Sequence, residues 1–258
     1  MERWQTATAV FFVYVAVVAV LSRGLSPGRR LNVLAGAAAG AVLLAGSCAL
    51  PAAHLANVWV LPPAALLIGY WTSGLLFVAP MPRAERALAA IDEILAIDAL
   101  AARTPRFVAE VLELAYVGVY PLIPLALYLA LREGVTADRF WTVILVTDYV
   151  CFGMLPWIQT RPPRAVGSAA SWPSAWRAVN LRVVDASSVQ VNTFPSGHAA
   201  EAVAAALLVS GSPAPIVGLM VLAAAAISAG AVFGRYHYAA DAIAGWAVAI
   251  IMYCSFRL

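Results

Sequence analysis

The chain has 258 residues, of which 63% are hydrophobic and only 11% are charged, and its mean hydropathy is +0.86. A soluble fold of this length cannot bury so much apolar surface, so the composition predicts a polytopic membrane protein. Backbone groups in hydrocarbon need partners within their own segment, and the spans are therefore expected to be helices. The net charge of +3 gives no indication of nucleic-acid binding.

Eight apolar segments are candidate transmembrane helices and predict an all-α membrane bundle. They lie near 5–22, 31–50, 58–80, 108–131, 138–158, 197–211, 214–234 and 238–256. The first resembles a signal peptide but lacks a small-residue cleavage site, so we interpret it as a retained span. Pro62 and Pro63 predict a break at the start of the third span. Tyr236, Tyr238 and Trp246 are interpreted as membrane-interface aromatics.

The first long connection between spans, residues 81–107, is amphipathic. Leu88, Ile91 and Leu95 fall at helical spacing, and charged residues occupy the other faces. The segment is therefore predicted to be a helix that lies in the headgroup region. A gate or guide for a lipid substrate is the alternative, and the sequence does not decide between the two.

The second long connection, residues 159–195, is polar and rich in tryptophan and proline. Arg161 and Arg164 flank two prolines at the membrane edge, which suggests a wall that binds an anion. The alternative is that both arginines extend along apolar surface to reach the headgroups.

The most informative polar residues lie at the start of two apolar segments. The tetrad Pro195-Ser196-Gly197-His198 opens one helix, and His237 follows 39 residues after His198, beyond a helical hairpin. A chain that crosses the membrane and returns brings both histidines to the same face. The free N–H groups at the start of a helix favour an anion, which Gly197 lets approach closely while Ser196 caps the helix.

His237 and Asp241 are four residues apart and so share one helical face. The carboxylate can hold one imidazole nitrogen and leave the other as a nucleophile or base. Arginine side chains suit the charge of a phosphoryl group in the transition state. The combination predicts phosphoryl transfer through a phosphohistidine.

These residues resemble the type-2 phosphatidic acid phosphatase superfamily, which includes lipid phosphatases, lipid phosphotransferases and vanadium haloperoxidases. Its Pro-Ser-Gly-His motif is complete, and the His-x3-Asp end of its third motif is present. In its Lys-x6-Arg-Pro motif, Met154 stands in place of the lysine, and Gly230-Ala231 replaces the Ser-Arg of the third motif. The Arg-Pro-Pro-Arg segment and Arg235 are more similar to the inositol phosphorylceramide synthase-like branch.

The resemblance implies that His237 is the nucleophile, that Asp241 orients it, and that His198 is the general acid for the leaving group. It also implies phosphate-binding roles for three further residues. These are Ser196, Gly197 and Arg161.

We assign the roles of the missing Lys and Arg of the family motifs to two more arginines, Arg164 and Arg235, because of their charge and proximity. They complete the predicted phosphate-binding set.

Two carboxyl residues lie within apolar segments, where ionisable groups are costly and usually functional. Asp148 lies about ten residues into the fifth predicted span, and Glu201 lies one turn beyond His198. Each is interpreted either as a support for the catalytic residues or as a structural partner of a neighbouring helix. A metal site built from the two histidines with Glu201 and Asp241 lacks a short ligand motif, so no metal or cofactor is expected.

The resemblance implies a six-helix phosphatase domain over 58–258, preceded by additional transmembrane helices in 1–57 within one structural unit. The expected function is metal-independent hydrolysis of a lipid phosphate or diphosphate in the bilayer. The first alternative is an inositol phosphorylceramide synthase-like phosphotransferase, which passes a phosphoryl or phosphoryl-headgroup unit to an alcohol. The second is a catalytically inactive membrane scaffold or lipid-binding protein that kept the fold. The expected partners are the lipid substrate and membrane lipids, and the oligomeric state is left open.

The expected location is the bacterial inner membrane, with several spans. The family resemblance places the active site outside the cytoplasm. The distribution of arginines favours the opposite orientation. The orientation from the family places twelve of the 16 arginines outside the cytoplasm, whereas the positive-inside rule predicts an excess on the cytoplasmic side.

Overall fold

The computed structural model describes residues 1–167 and 174–256, and every regular element within them is a helix. The predicted all-α fold is therefore confirmed. The helices bury one main apolar core, and a cavity with polar residues that include His198 and His237 opens into the bundle.

The N-terminal region consists of α1 (Arg3–Leu21), α2 (Pro27–Cys48), α3 (Leu55–Trp59) and α4 (Leu61–Gly74). The first two helices pack as a hairpin, and α4 packs against the second of them. The helical conformation is interrupted between α3 and α4 at Val60, whose φ of −122° and ψ of −53° are not helical. The two prolines that follow lack N–H groups and so begin α4 without leaving donors unpaired.

The first long connection forms two helices, α5 (Pro82–Ile94) and α6 (Ile97–Arg103), which a residue with positive φ, Ala96, separates. Both helices pack against the C-terminal part of the chain.

The apolar face of α5 is oriented differently from the expectation. Leu88 is buried, but it shares its buried face with the carboxylates Glu85 and Asp92, whereas Ile91 and Leu95 are exposed. The reason is electrostatic, because each carboxylate is paired with an arginine from the bundle, and these pairs fix the inward face.

The fourth predicted span is broken into α7 (Arg106–Val117) and α8 (Val119–Arg132), which meet at Gly118 with a bend of 60°. Pro121 and Pro124 follow the break, and each removes one N–H group from the helical ladder. The bend places Tyr116, near the end of α7, in the wall of the cavity.

The remaining helices complete the bundle. They are α9 (Ala137–Gly153), α10 (Pro163–Val166), α11 (Ala175–Ser187), α12 (Gly197–Leu208), α13 (Ala214–Phe233) and α14 (Ala239–Ser255). Of these, α12 is central, since it packs against α8, α9, α13 and α14. Because α13 returns the chain, α12 and α14 begin at the same end of the bundle.

Three described helices, α1, α2 and α13, are long and apolar enough to cross a membrane, and α7 with α8 adds a fourth if the bent pair is one span. Two shorter apolar helices, α12 and α14, lie between them. The chain therefore has several apolar helices of membrane type, and the expected number of eight spans stays a prediction.

Candidate active site

A cavity of about 580 Å³ opens where α12 and α14 begin. Aromatic and aliphatic side chains from α4, α8 and α9 form most of its wall. The wall also contains charged and ionisable residues from several elements. They are Asp148, Arg164, His198, Glu201 and His237, together with several tyrosines.

The structure brings the two histidines together. His198 is the second residue of α12, His237 lies two residues before α14, and their ring centroids are 6.4 Å apart. The two helices approach each other closely at Gly245, where a Cβ atom would lie 2.6 Å from the carbonyl oxygen of Ser196. A glycine on α14 therefore sets the distance between α12, which carries His198, and α14, which His237 precedes.

His237 is held by Asp241. Its Nδ1 lies 3.3 Å from one carboxylate oxygen, Oδ2, and the Tyr238 N–H donates to that same oxygen at 2.8 Å. Asp241 is fully buried, and the exposed fraction of His237 is 7%. The contact at Nδ1 leaves Nε2 as the ring nitrogen available for chemistry on the cavity side.

His198 is held by aromatic rings. Tyr116 stacks on it with 5.0 Å between ring centroids and 10° between ring planes, and Tyr120 meets it edge-on at 6.0 Å. Tyr236 stacks in turn on Tyr116 at 4.1 Å. Tyr236 and Tyr238 are each 2% exposed, so the expectation that they are membrane-interface aromatics is wrong. The stack of rings that orients His198 makes Tyr236 an internal residue.

Ser196 and Gly197 shape the start of α12. The Ser196 Oγ accepts a hydrogen bond from the Ala199 N–H at 3.4 Å, and the Ser196 N–H donates to the Asp241 carbonyl at 2.9 Å. Gly197 lies in the cavity wall, and a Cβ atom there would be 3.1 Å from Oδ1 of Asp148. The serine is therefore a cap that joins the two helices, and the glycine gives access to the backbone.

Arg164 is the arginine that lies in the cavity wall. Its guanidinium carbon is 5.5 Å from the ring centroid of Tyr236, which favours a cation over the ring face. Its backbone N–H donates to the Arg235 carbonyl at 3.1 Å. Among the described residues it forms no ion pair, so its charge can bind an anion.

Arg161 lies outside the residues that form the wall. Its Nε and Nη2 atoms each donate to Glu85 at 2.9 Å, and its backbone N–H donates to the same carboxylate. The side-chain hydrogen bonds from Arg161 are the main cause that lowers the pKa of Glu85.

Arg235 also lies outside the wall. It donates to Asp92 at 2.7 Å, lies 3.4 Å from Asp98, and is 4% exposed. A phosphate contact by Arg161 or Arg235 would therefore require these ion pairs to break.

A buried network behind the cavity was missed by the sequence interpretation. Glu113 is fully buried and accepts hydrogen bonds from Arg177 at 2.8 Å, Asn180 at 2.6 Å and Tyr236 at 2.8 Å. A carboxylate within an apolar segment was the available signal, because such a group needs a partner. The network fixes the Tyr236 ring, and through it the stack on His198.

The part of the chain that the structure describes contains no group of three or more His, Cys, Asp or Glu side chains that could hold a metal ion. The rings of His198 and His237, 6.4 Å apart between centroids, are thus not part of such a group.

A family model described as the PAP2 superfamily matches residues 81–255, which is more than half of the chain and includes the helices from α5 to α14 with both histidines of the cavity. The chain belongs to the PAP2 superfamily. Neither a curated protein nor a solved structure matches it. Membership supports a phosphatase-type or phosphotransferase-type membrane enzyme in broad terms, and the inositol phosphorylceramide synthase-like branch stays a prediction.

Proposed function

We propose that this PAP2 superfamily member is an integral-membrane phosphatase that hydrolyses a lipid phosphate or diphosphate through a phosphohistidine at His237. The observation that carries the proposal is the shared cavity of His198 and His237, with Asp241 in contact with Nδ1 of His237. This arrangement supplies a nucleophile on one side of a phosphoryl group and a proton donor on the other.

In the first step, Nε2 of His237 attacks phosphorus and the bond from phosphorus to the leaving oxygen breaks. His198 donates a proton to that oxygen, so the lipid leaves as an alcohol or as a lower phosphate. Asp241 stabilises the positive charge that develops on His237. Arg164 and the N–H groups at the start of α12 stabilise the charge of the transferring phosphoryl group.

In the second step, His198 accepts a proton from water, the water oxygen bonds to phosphorus, and the bond from phosphorus to Nε2 breaks. Inorganic phosphate is released and His237 returns to its starting state. Water replaces the proton that His198 gave to the leaving group, and the residues of the chain stabilise each charge, so the proposal needs no metal ion.

The proposed substrate is a lipid because the rest of the cavity is apolar. From the histidines it continues between α4 and α8 toward Trp59 and Trp141, and its wall includes Leu66, Ile123 and Leu127. Such a wall can cover a hydrocarbon chain while the phosphate lies at the polar end.

The test compares wild type with His237→Gln, Asp241→Asn and the control His54→Gln in detergent with EDTA. His54 is an exposed histidine outside the cavity. Phosphate release from a panel of lipid phosphates and diphosphates is the first readout, and an acid-labile phosphoenzyme trapped from labelled substrate is the second. We expect wild type and His54→Gln to show both, and His237→Gln to show neither.

Two results would change the proposal. Phosphate release by His237→Gln would exclude the phosphohistidine. A wild-type phosphoenzyme that turns over only when an alcohol is added would replace hydrolysis by the phosphotransferase reaction, which shares the first step.

A further inference from the structure

We propose that the carboxyl groups of Asp148 and Glu201 form a binding site for a hydroxyl group of the ligand, inside the cavity and beyond the phosphate. The inference rests on the proposed function, because the position of the phosphate defines which hydroxyl group can reach the pair. The site is named here the carboxyl pair.

The carboxyl pair lies in the cavity wall on the side of α9 and α12. Asp148 comes from α9 and Glu201 from α12, two helices that pack against each other. Oδ1 of Asp148 lies beside Gly197, one helical turn before Glu201 on the same helix. Both carboxyl groups therefore lie in the same wall, within about one helical turn of His198.

Within the described residues, one oxygen of the carboxyl pair is without a hydrogen-bond partner. Asp148 is 1% exposed, and its Oδ2 atom has no hydrogen-bond partner. Among the described residues, no arginine or histidine forms an ion pair with Asp148 or Glu201. A buried carboxyl oxygen without a partner is costly, so an unpaired carboxyl oxygen on a residue of the cavity wall indicates a ligand that supplies the missing hydrogen bond.

The protonation of two neighbouring carboxyl groups specifies which ligand fits. In a cavity surrounded by apolar side chains, both groups cannot be ionised at once, because like charges repel and burial penalises each charge. One shared proton leaves a donor on one carboxyl group and acceptors on the other. A hydroxyl group both donates and accepts a hydrogen bond, and so matches the pair.

The distance along α12 limits where that hydroxyl group lies on the ligand. Glu201 is three residues beyond His198, which corresponds to about 4.5 Å along the helix axis. With the leaving oxygen at His198, this distance places the hydroxyl group on the second or third carbon of the esterified alcohol. Trp141, two turns deeper on α9, belongs to the same cavity, so an apolar chain can continue past the pair.

The expected ligand class is therefore a hydroxyalkyl phosphate with a long apolar chain, such as a monoacylated glycerol phosphate. A separate alcohol that accepts the phosphoryl group offers the same hydroxyl chemistry at the same position. The hydroxyl group thus belongs either to the lipid phosphate or to a separate acceptor alcohol. The experiment measures both possibilities.

The first arm measures binding without catalysis. Non-hydrolysable phosphonate analogues of 1-oleoylglycerol 3-phosphate, with and without the hydroxyl group on C2, are titrated into wild type, Glu201→Met and the exposed control Glu93→Met. Because hydrogen bonds to charged groups are strong, we expect wild type and the control to prefer the hydroxyl analogue by about tenfold or more. The ratio should fall to near one in Glu201→Met and Asp148→Leu, and it should be partly retained in Glu201→Gln.

The second arm measures turnover of the matched phosphate esters and, separately, transfer to an added monoacyl propanediol. If the hydroxyl group belongs to the substrate, Glu201→Met lowers the ratio of kcat/KM for the two esters. If it belongs to an acceptor, Glu201→Met lowers the ratio of transfer to hydrolysis instead.

Three results would overturn the carboxyl pair as a hydroxyl site. They are equal wild-type affinity for the two phosphonates, an equal loss of affinity for both in Glu201→Met, and tighter wild-type binding of the 2-amino analogue. Failure of the proposed function is distinguishable, because it abolishes phosphate release and phosphoenzyme formation while the phosphonate affinities still report on the site.

Discussion

Two groups of charged residues lie at the same end of the bundle and differ in their partners. The cavity group, Arg164 with His198 and His237, lines the cavity, and its one arginine has no ion pair among the described residues. The outer group, Arg161 and Arg235, is neutralised by Glu85 and Asp92 of α5. An arginine that already pairs with a fixed carboxylate cannot bind phosphate without first losing that pair. We therefore expect the cavity group to control catalysis and the outer group to hold α5 on the bundle.

The largest expected effect comes from the outer group, by the change Arg235→Gln. Asp92 would remain buried without its charged partner, and breaking a buried pair in this way costs about 3–5 kcal/mol. We expect a large fall in thermal stability in detergent, with phosphate release per folded molecule and KM near wild type.

The double variant Arg235→Gln with Asp92→Asn is the matched control, because it removes both charges and keeps a side chain that can accept from the Ala239 N–H. It should recover much of the lost stability. Unchanged stability in Arg235→Gln together with a raised KM would show instead that Arg235 binds phosphate, and the comparison would fail.

The second effect comes from the cavity group, by Arg164→Gln. Loss of a charge aimed at a developing oxyanion typically lowers kcat by about 10²–10³-fold, so we expect a fall of that size in kcat/KM. The thermal midpoint should change little, since Arg164 has no ion pair to lose. Arg83→Gln, at an exposed position of α5, is the control and should leave both quantities unchanged. Wild-type kinetics in Arg164→Gln would remove this arginine from the mechanism.

The two groups also show what the sequence could and could not predict. The histidines were predictable because a helical hairpin between two motifs leaves little choice about which ends meet. The contact between His237 and Asp241 was also predicted, but its geometry differs, because His237 lies two residues before α14 and meets Asp241 at the start of that helix instead of on a shared helical face. The family motif was a weaker guide for Arg161, and charge and proximity were weaker guides for Arg235, because the partners of these two arginines lie 76 and 143 residues away.

The fold was predictable at the level of class and less so at the level of helix orientation. Composition and continuous apolar runs indicate membrane helices, and the structure agrees. The inward face of α5 was not predictable from its apolar spacing, since two ion pairs with distant arginines decide it. The 60° bend at Gly118 and the stack of Tyr116 on His198 likewise depend on tertiary contacts.

The third prediction tests whether the cavity group depends on the contact between α12 and α14. In Gly245→Ala the new Cβ atom would meet the backbone oxygen of Ser196, which cannot move without moving the start of α12. Overpacking of this kind costs about 1–3 kcal/mol, and it would also separate His198 from His237. We expect lower stability and a loss of phosphoenzyme formation.

Gly218→Ala on α13 is the matched control, because a Cβ atom there meets no described atom within 4 Å. It should be neutral or slightly stabilising, since alanine is favoured over glycine inside a helix by about 0.5–1 kcal/mol. Equal effects of the two substitutions would mean that helix propensity, and not the contact at Ser196, controls the site.

The smallest expected effect is the pH dependence of the pair between Arg161 and Glu85. Hydrogen bonds from Arg161 lower the pKa of Glu85 below its ordinary value of 4.5 in the folded protein. A carboxyl group with a depressed folded pKa stabilises the protein above its unfolded pKa, and this contribution is lost as the pH falls through the folded value. The pair is partly exposed, so the contribution is small and sensitive to salt.

The measurement is the thermal midpoint of wild type minus that of Glu85→Gln, taken from neutral pH down to below 4. We expect a constant positive difference well above 4.5 that shrinks as the pH falls below that value. The same difference for Glu93→Gln, an exposed carboxylate on the same helix, should show no such step. A step that appears in kcat/KM rather than in the thermal midpoint would assign Arg161 to the cavity group, because protonation of Glu85 would then release its guanidinium to bind phosphate.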